Sequence, residues 1–316
     1  MQVMVAESAG FCYGVKRAVD MARETAKKCR HSVMLGSIIH NANVVAELEA
    51  LGMRKVDSWD QVRPGETVVI RSHGERKEVF ERLEAMGAAC VNATCPNVLR
   101  IQQLVAKAQE EGRTPLIIGE MHHPEVLGAA SWSERSVILP GPRELENWLN
   151  EEPSRRNMPL TATAQTTCVQ GIWESSKEIL KKQCTNAKIF DTICNATHRR
   201  QTEAAELAAQ VDVMVVVGDR KSANTKHLAE ICREKCGRVV QIERAGELSS
   251  ELFEGCLVAG LTAGASTPAG IIKEVYTTMS EEIKNMESNE ESFEELLEKS
   301  FKTLNTGDKV TGIVTA

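Results

Sequence analysis

Residues 191–222 read DTICNATHRRQTEAAELAAQVDVMVVVGDRKS, and this stretch decides the fold class. It places Cys194 just before a segment that predicts a helix, and the apolar run from Val213 to Val217 then predicts a buried strand. Gly218 ends that strand, and the polar residue Ser222 follows four residues later. A helix and an apolar strand that alternate in this way are typical of parallel α/β units.

The spacing within this stretch occurs three times in the chain. The repeated positions are a cysteine (Cys12, Cys95, Cys194), an arginine five residues later (Arg17, Arg100, Arg199), a glycine 24 residues later (Gly36, Gly119, Gly218) and a polar residue 28 residues later (His40, His123, Ser222). Helix, turn and strand segments fill each interval in the same order. Such matched spacings indicate an internal repeat in which each copy is one structural unit.

Other apolar runs extend the pattern, because those near residues 33, 67, 115 and 257 also predict strands. We therefore predict an α/β fold of three related domains that face a common axis, over residues 1–95, 96–192 and 193–281.

A second polar position follows a later strand of each copy, at 61, 71 and 72 residues from the cysteines. These residues are His73, Thr166 and Ser266. Ligands of parallel α/β folds bind beyond the carboxyl ends of the strands, so we expect the thiols and polar groups to surround one cavity.

The composition favours a cytoplasmic globular protein with thiol or metal chemistry. The chain has 316 residues, 42% of them hydrophobic, and a formal net charge of −6, which gives no bulk attraction for nucleic acid or anionic membranes. We identify no signal peptide and no apolar stretch long enough to span a membrane. Ten cysteines in such a chain favour thiol or metal chemistry over a disulfide framework.

Three thiols from three separate units fit one kind of metal centre best. A structural zinc site takes four protein ligands at close spacing, and the sequence contains no C-x-x-C pair. Three thiolates suit a [4Fe–4S] cluster that leaves one iron without a protein ligand. A single cysteine is more often a packed core residue, but the threefold repeat of Cys12, Cys95 and Cys194 counts against that interpretation.

The polar residues of the repeat suit an anionic ligand. His40, His73, His123, Ser222, Asn224 and Ser266 offer hydrogen-bond donors for a phosphate or diphosphate. Glu125 follows His123 by two residues, and a carboxyl group at that position could relay protons. Since surface glutamates are common, the sequence alone leaves this role of Glu125 open.

Several motifs together resemble those of one family, the 4-hydroxy-3-methylbut-2-enyl diphosphate reductases, also called IspH or LytB. These motifs are Ala9-Gly-Phe-Cys-Tyr-Gly-Val, Arg71-Ser-His-Gly, Ala93-Thr-Cys-Pro, His123-Pro-Glu, Gln165-Thr-Thr, Asp191-Thr-Ile-Cys, Ser222-Ala-Asn and Ala265-Ser-Thr-Pro. The resemblance covers the chain from about Gln2 to Glu281. It departs from the family at Ala223, where members often carry a second serine.

The resemblance implies a trefoil of three α/β domains around a [4Fe–4S] cluster held by three cysteines. It implies that the substrate diphosphate is bound by His40, His73, His123, Ser222, Asn224 and Ser266. It further implies that Glu125 donates protons while hydrogen-bonded to a threonine, for which we prefer Thr166 over the adjacent Thr167. Ferredoxin or flavodoxin would supply two electrons, and the products would be isopentenyl and dimethylallyl diphosphate.

The C-terminal residues 282–316 differ from the three domains. Their first part is strongly acidic, which predicts a solvated helix or a linker, and residues 307–316 alternate like a strand. This end resembles the opening strand of an S1-type RNA-binding repeat, and one strand cannot close such a barrel. We predict a truncated fusion that could bind RNA only at full length, and no nucleic-acid binding by this chain alone.

Two other functions remain possible from the sequence. A three-cysteine cluster with an open iron can also serve a non-redox hydro-lyase, which a requirement for an electron donor would exclude. The C-terminal segment alone favours a nucleic-acid-binding or ribosome-associated protein, and the acidic net charge counts against it.

Overall fold

Strands and helices alternate along the part of the chain that the computed structural model describes, which is residues 2–289, with side chains for residues 2–281. The strands are β1 (Gln2–Val5), β2 (Ser32–Leu35), β3 (Arg54–Val56), β4 (Thr67–Ile70), β5 (Ala89–Asn92), β6 (Thr114–Ile118), β7 (Val137–Leu139), β8 (Leu160–Ala164), β9 (Ala187–Ile189), β10 (Val213–Val217), β11 (Val239–Ile242) and β12 (Val258–Ala263). The helices are α1 (Tyr13–Lys28), α2 (Ala42–Ala50), α3 (Lys77–Ala85), α4 (Pro96–Glu110), α5 (Pro124–Ala130), α6 (Pro142–Glu151), α7 (Gln170–Gln183), α8 (Asn195–Ala208), α9 (Ala223–Arg233) and α10 (Ala269–Asn289).

The strands form three parallel sheets of four strands each. Their orders are β3-β2-β4-β5, β7-β6-β8-β9 and β11-β10-β12-β1. All three sheets have the same topology once β1 is counted as the strand that follows β12. The predicted α/β fold of three related units is therefore confirmed.

Strand β1, at the start of the chain, is the fourth strand of the third sheet. Val3 of β1 lies opposite Ala259 of β12 in parallel register. Gln2–Val5 thus lies in the third sheet, although the predicted first domain of residues 1–95 includes it. The pairing joins segments far apart in sequence, so no local pattern could reveal it. The predicted domain boundaries stay as predictions.

The central strands carry the apolar runs that the sequence shows. All side chains of β2, β6, β8 and β10 are buried, as expected for parallel sheets with helices on both faces. Helix α1 packs its inward side, Ala18, Val19 and Ala22, against the first sheet, which matches the helical spacing of these residues.

Helix α10 continues to Asn289, so the first residues of the predicted acidic segment are helical. The strand-like segment of residues 307–316, and with it the predicted S1-like start, lies outside the described residues. Within residues 2–289, every helix is too short or too polar to cross a lipid bilayer.

Candidate functional site

The three repeated cysteines occupy the same structural position, at the connection from one unit to the next. Cys12, Cys95 and Cys194 are the N-cap residues of α1, α4 and α8, and each follows the fourth strand of a sheet. The fourth strand of each sheet pairs with one neighbouring strand, and the chain just after that neighbour carries the acceptor. Each cysteine donates its backbone N–H to a carbonyl there. The acceptors are Ala265 at 3.4 Å, Ser72 at 2.9 Å and Thr166 at 3.0 Å, in the order of the cysteines.

The three thiols line one cavity, as the repeat predicted. All three are free, and none of the three side chains caps its helix. Burial raises the pKa of the Cys95 thiol, and the charges of Cys12 and Cys194 act in the same direction because they lie nearby. A bound cation would stabilise adjacent thiols of this kind as thiolates.

Two contacts at the sulfur atoms bear on what the three thiols could hold. A Cβ atom at Gly14 would lie 2.5 Å from Cys95 Sγ, so the absence of a side chain there leaves space at the sulfur. Asn97 donates its Nδ2–H to Cys194 Sγ at 3.1 Å, a contact of the kind that stabilises thiolate ligands. The donor set of three thiols from three units therefore fits a [4Fe–4S] cluster with three protein ligands.

Three histidines of the same cavity lie close together. The ring centroids of His40 and His73 are 4.7 Å apart, and those of His73 and His123 are 5.6 Å apart. Burial lowers the pKa of His40, lowers that of His73 well below its ordinary value, and lowers that of His123 to about 4. Without a ligand the three rings are therefore neutral near pH 7.

The ring nitrogens lie within 4.8 Å of one another, a geometry that could also hold a metal ion. However, the backbone N–H of Glu125 donates to His123 Nδ1 at 3.2 Å. The neutral ring must then carry its proton on Nε2, which makes Nε2 a donor. This tautomer favours an anionic oxygen ligand over a metal ion at His123.

Several buried polar atoms of the cavity residues have no hydrogen-bond partner within the described residues. They include His40 Nε2, His73 Nδ1, Asn224 Nδ2 and Ser266 Oγ. Ser222 caps α9 by accepting from the Thr225 N–H at 3.4 Å, which leaves its own O–H free to donate. Buried polar groups are nearly always paired, so this set indicates an oxygen-rich ligand.

Glu125 lines the same cavity as the three histidines and the three thiols. Its two carboxylate oxygens accept from the backbone N–H and the hydroxyl of Thr166, each at 2.7 Å. The expected contact of Glu125 with Thr166, preferred over Thr167, is thus present. Burial raises the pKa of Glu125, while the Thr166 hydrogen bonds act in the opposite direction. A carboxyl group with raised pKa keeps its proton to higher pH than an exposed glutamate and can donate it.

The backbone hydrogen bonds of the three cysteines show that one residue of the predicted repeat was placed one position too early. The residues that follow the three carbonyl acceptors are His73, Thr167 and Ser266, so Thr167 occupies the repeated position that we had given to Thr166. Both threonines line the cavity. Thr167 Oγ1 accepts from Gln165 Nε2 at 2.9 Å, so the Thr167 hydroxyl can still donate to a ligand.

Three residues at or beside the cavity, Arg200, Asn97 and His227, were not predicted from the sequence. Arg200 is buried and lines the cavity, although the repeat drew attention to the exposed Arg199 beside it. His227 donates its Nδ1–H to the Thr167 carbonyl, 2.8 Å away, and so joins α9 to the loop after β8. A signal for Asn97 existed, because it lies two residues after Cys95. The other two contacts depend on how the units pack.

The repeated arginines have separate roles. Arg17 donates to the Thr94 carbonyl at 3.1 Å, and Arg199 forms an exposed ion pair with Glu7. They stabilise the connections between units and do not line the cavity.

Fold and cavity together define a three-unit α/β protein in which three free thiols, three histidines and a buried carboxyl group line one cavity. The family model described as LytB protein matches residues 3–280. This chain therefore belongs to the LytB family.

The comparison with individual proteins agrees with that assignment. A 4-hydroxy-3-methylbut-2-enyl diphosphate reductase of Caldanaerobacter subterraneus subsp. tengcongensis is 38% identical over 92% of this chain and 100% of its own length. A protein of the same name from Clostridium acetobutylicum is 38% identical, and the match covers 92% of this chain but only 45% of that protein. A solved structure of (E)-4-hydroxy-3-methyl-but-2-enyl diphosphate reductase, the terminal enzyme of the non-mevalonate pathway, superposes with a TM-score of 0.64 at 35% identity. That superposition covers 89% of this chain and all of the other.

Proposed function

We propose that this protein is an oxidoreductase that removes the hydroxyl group of (E)-4-hydroxy-3-methylbut-2-enyl diphosphate and forms isopentenyl and dimethylallyl diphosphate. The observation that carries the proposal is the single cavity in which three free thiols, unpartnered polar groups and a buried carboxyl group meet. The names of the relatives support the same reaction.

The thiol end of the cavity supports a [4Fe–4S] cluster on Cys12, Cys95 and Cys194. When bound, such a cluster would supply Lewis acidity at an iron without a protein ligand and low-potential electrons for the allylic C–O bond. Asn97 would keep the Cys194 sulfur oriented through its hydrogen bond.

The polar end of the cavity supports the substrate diphosphate. His40, His73, His123, Asn224 and Ser266 would donate hydrogen bonds to its oxygens, and the hydroxyls of Ser222 and Thr167 would add to them. Because the diphosphate is remote from the reacting carbon, binding it there positions the hydroxyl group toward the thiol end.

Glu125 supplies the proton in this scheme. The reaction consumes two electrons and two protons and releases water, so it needs a protonated group beside the departing hydroxyl. The raised pKa of Glu125 keeps it protonated at higher pH than an exposed glutamate, and Thr166 fixes its orientation. Residues 2–281 thus contain candidate groups for binding the substrate, for orienting it and for donating the proton.

The electrons would come one at a time from a ferredoxin or a flavodoxin. The ten cysteines are all free thiols, which supports a reducing compartment such as the cytoplasm. We propose no nucleic-acid partner for this chain alone, and RNA binding stays a proposal for a longer S1 fusion.

An anaerobic experiment tests the function. After reconstitution with iron and sulfide, the protein should contain four irons per chain and convert the hydroxy-diphosphate substrate when dithionite-reduced viologen is present. Omitting the viologen and dithionite should stop turnover, and product formation without them would favour a hydro-lyase. A protein without bound iron, or a loaded protein that forms neither isopentenyl nor dimethylallyl diphosphate, would contradict the proposal.

A further inference from the structure

A buried arginine lies at the thiol end of the cavity. Arg200 is on α8, six residues after Cys194, and only 3% of its surface is exposed. Arginine stays protonated under nearly all conditions in proteins, so the guanidinium brings a permanent positive charge into the interior. A buried charge of this kind is costly unless it is paired.

Only part of this guanidinium is satisfied by the protein. Nε and Nη2 donate to the Ser8 carbonyl at 3.0 and 2.7 Å, and Nη2 also donates to the Gly10 carbonyl at 2.7 Å. These carbonyls belong to the loop that leads to Cys12, so Arg200 joins the helix of one cysteine to the loop of another. Neutral carbonyls do not compensate its charge.

The remaining group, Nη1, is buried and has no hydrogen-bond partner among the described residues. Arg200 lines the same cavity as the three cysteines. Burial lowers the pKa of Arg200, and the negative charges that act against this effect are those of Cys12, Cys194 and Glu203. Glu203 accepts from the Ser8 and Glu7 backbone N–H groups and has no hydrogen bond with Arg200 among the described residues. The cysteine sulfur atoms are the other negatively charged groups near Arg200.

We propose that Arg200 compensates the negative charge of the thiolate site, with Nη1–H donating a hydrogen bond to a sulfur atom of a cysteine or of the bound cluster. This inference rests on the proposed function. A [4Fe–4S]²⁺ core on three thiolates carries a net charge of −1, and one-electron reduction makes it −2. A fixed positive charge and a hydrogen bond to sulfur both stabilise the more negative state, so Arg200 raises the reduction potential of the cluster.

The chain offers a matched control in the neighbouring residue. Arg199 carries the same charge on the same helix, but its side chain is 67% exposed and paired with Glu7. Water screens its effect on the interior. Arg199→Gln removes one positive charge without emptying the cavity wall.

The test is a redox titration of the anaerobically reconstituted protein, followed by electron paramagnetic resonance. Arg200→Gln should shift the midpoint potential to a more negative value, and Arg200→Lys, which keeps the charge but loses the planar donor, should shift it less. Arg199→Gln should titrate as the wild type does. Iron-loaded Arg200→Gln protein with the wild-type potential would overturn the inference.

A measurement on the wild type covers the case in which Arg200→Gln does not fold or does not hold iron. Protein made with ¹⁵N-guanidinium arginine should show a weak ¹⁵N hyperfine coupling to the reduced cluster, and the Arg199→Gln protein should show it too. The absence of this coupling would also overturn the inference. Loss of iron from the wild type would instead contradict the proposed function, so the two failures are distinct.

Discussion

At the scale of single residues, the site is organised around Glu125 and Thr166. Glu125 is 2% exposed, and Thr166 donates two hydrogen bonds to its carboxylate oxygens. Burial favours the protonated acid, whereas these hydrogen bonds favour the carboxylate. The balance of the two effects sets the pH at which Glu125 can donate a proton.

Replacing Glu125 tests the proton donor directly. Glu125→Gln keeps the shape of the side chain but cannot donate an acidic proton, so we expect substrate binding to persist while kcat falls by about 10²- to 10⁴-fold. Steady-state kinetics with reduced viologen measures this loss. Glu134→Gln, which changes an exposed glutamate of the same unit, should keep its activity. Near-normal turnover by Glu125→Gln would refute the role.

Replacing Thr166 tests how the carboxyl is tuned. Thr166→Val removes the hydroxyl that donates to Oε2 but keeps the backbone N–H that donates to Oε1. With less stabilisation of the carboxylate, the pKa of Glu125 should rise, and the high-pH limb of the kcat profile should move to higher pH. Thr166→Ser, which restores a hydroxyl, should return the limb toward its wild-type position. An unchanged profile in Thr166→Val would show that this hydrogen bond does not tune Glu125.

At the scale of elements, the cysteines reach the cavity because each one begins a helix after the last strand of a sheet. The three helices place the thiols at their N-termini, and a glycine in α1 leaves space beside one of the sulfur atoms. Gly14, the second residue of α1, is the clearest case, since any side chain there would collide with Cys95 Sγ.

Gly14→Ala should therefore reduce iron binding. The added Cβ would lie 2.5 Å from the Cys95 sulfur, so the sulfur must move away from its ligand position. Iron and sulfide analysis after reconstitution measures the effect. Gly171→Ala is a matched control, because Gly171 is also the second residue of a helix, α7, and has no atom within 4 Å of the new Cβ.

The control should bind iron normally and gain up to about 1 kcal/mol of stability, since alanine favours the helix over glycine. Equal iron contents in the two variants would show that Gly14 does not make room for the cluster.

At the scale of the whole molecule, the buried histidines make stability depend on pH. In the folded protein the pKa of His123 is about 4, so the ring is neutral above that pH. An exposed histidine has a pKa near 6.5. As the pH falls below about 6.5, the unfolded chain takes up the proton first, so the free energy of unfolding decreases toward pH 4. One such shift amounts to roughly 3 kcal/mol.

Urea unfolding of the cluster-free protein between pH 7 and 4.5, followed by the fluorescence of buried Trp173, measures this dependence. His123→Asn should be less sensitive to acid than the wild type. His31→Asn, at an exposed position, should behave like the wild type. Identical pH slopes in the wild type and His123→Asn would contradict the assignment of a neutral buried His123.

The sequence by itself determined the three units and most of the cavity. Each of Cys12, Cys95 and Cys194 precedes a helix by a fixed spacing, and the residue 28 positions later follows the next strand, so local chain geometry carries both to the same end of the sheets. Local patterns of this kind can be seen in the sequence because helix and strand periodicities are local properties.

Only the tertiary structure decided what depends on packing between distant segments. It pairs β1 with β12, aligns Thr167 with His73 and Ser266 in the repeated position, and brings Arg200 to the loop that precedes Cys12. These contacts join residues that are separated by much of the chain, and their energies come from burial and from hydrogen bonds that no local pattern encodes.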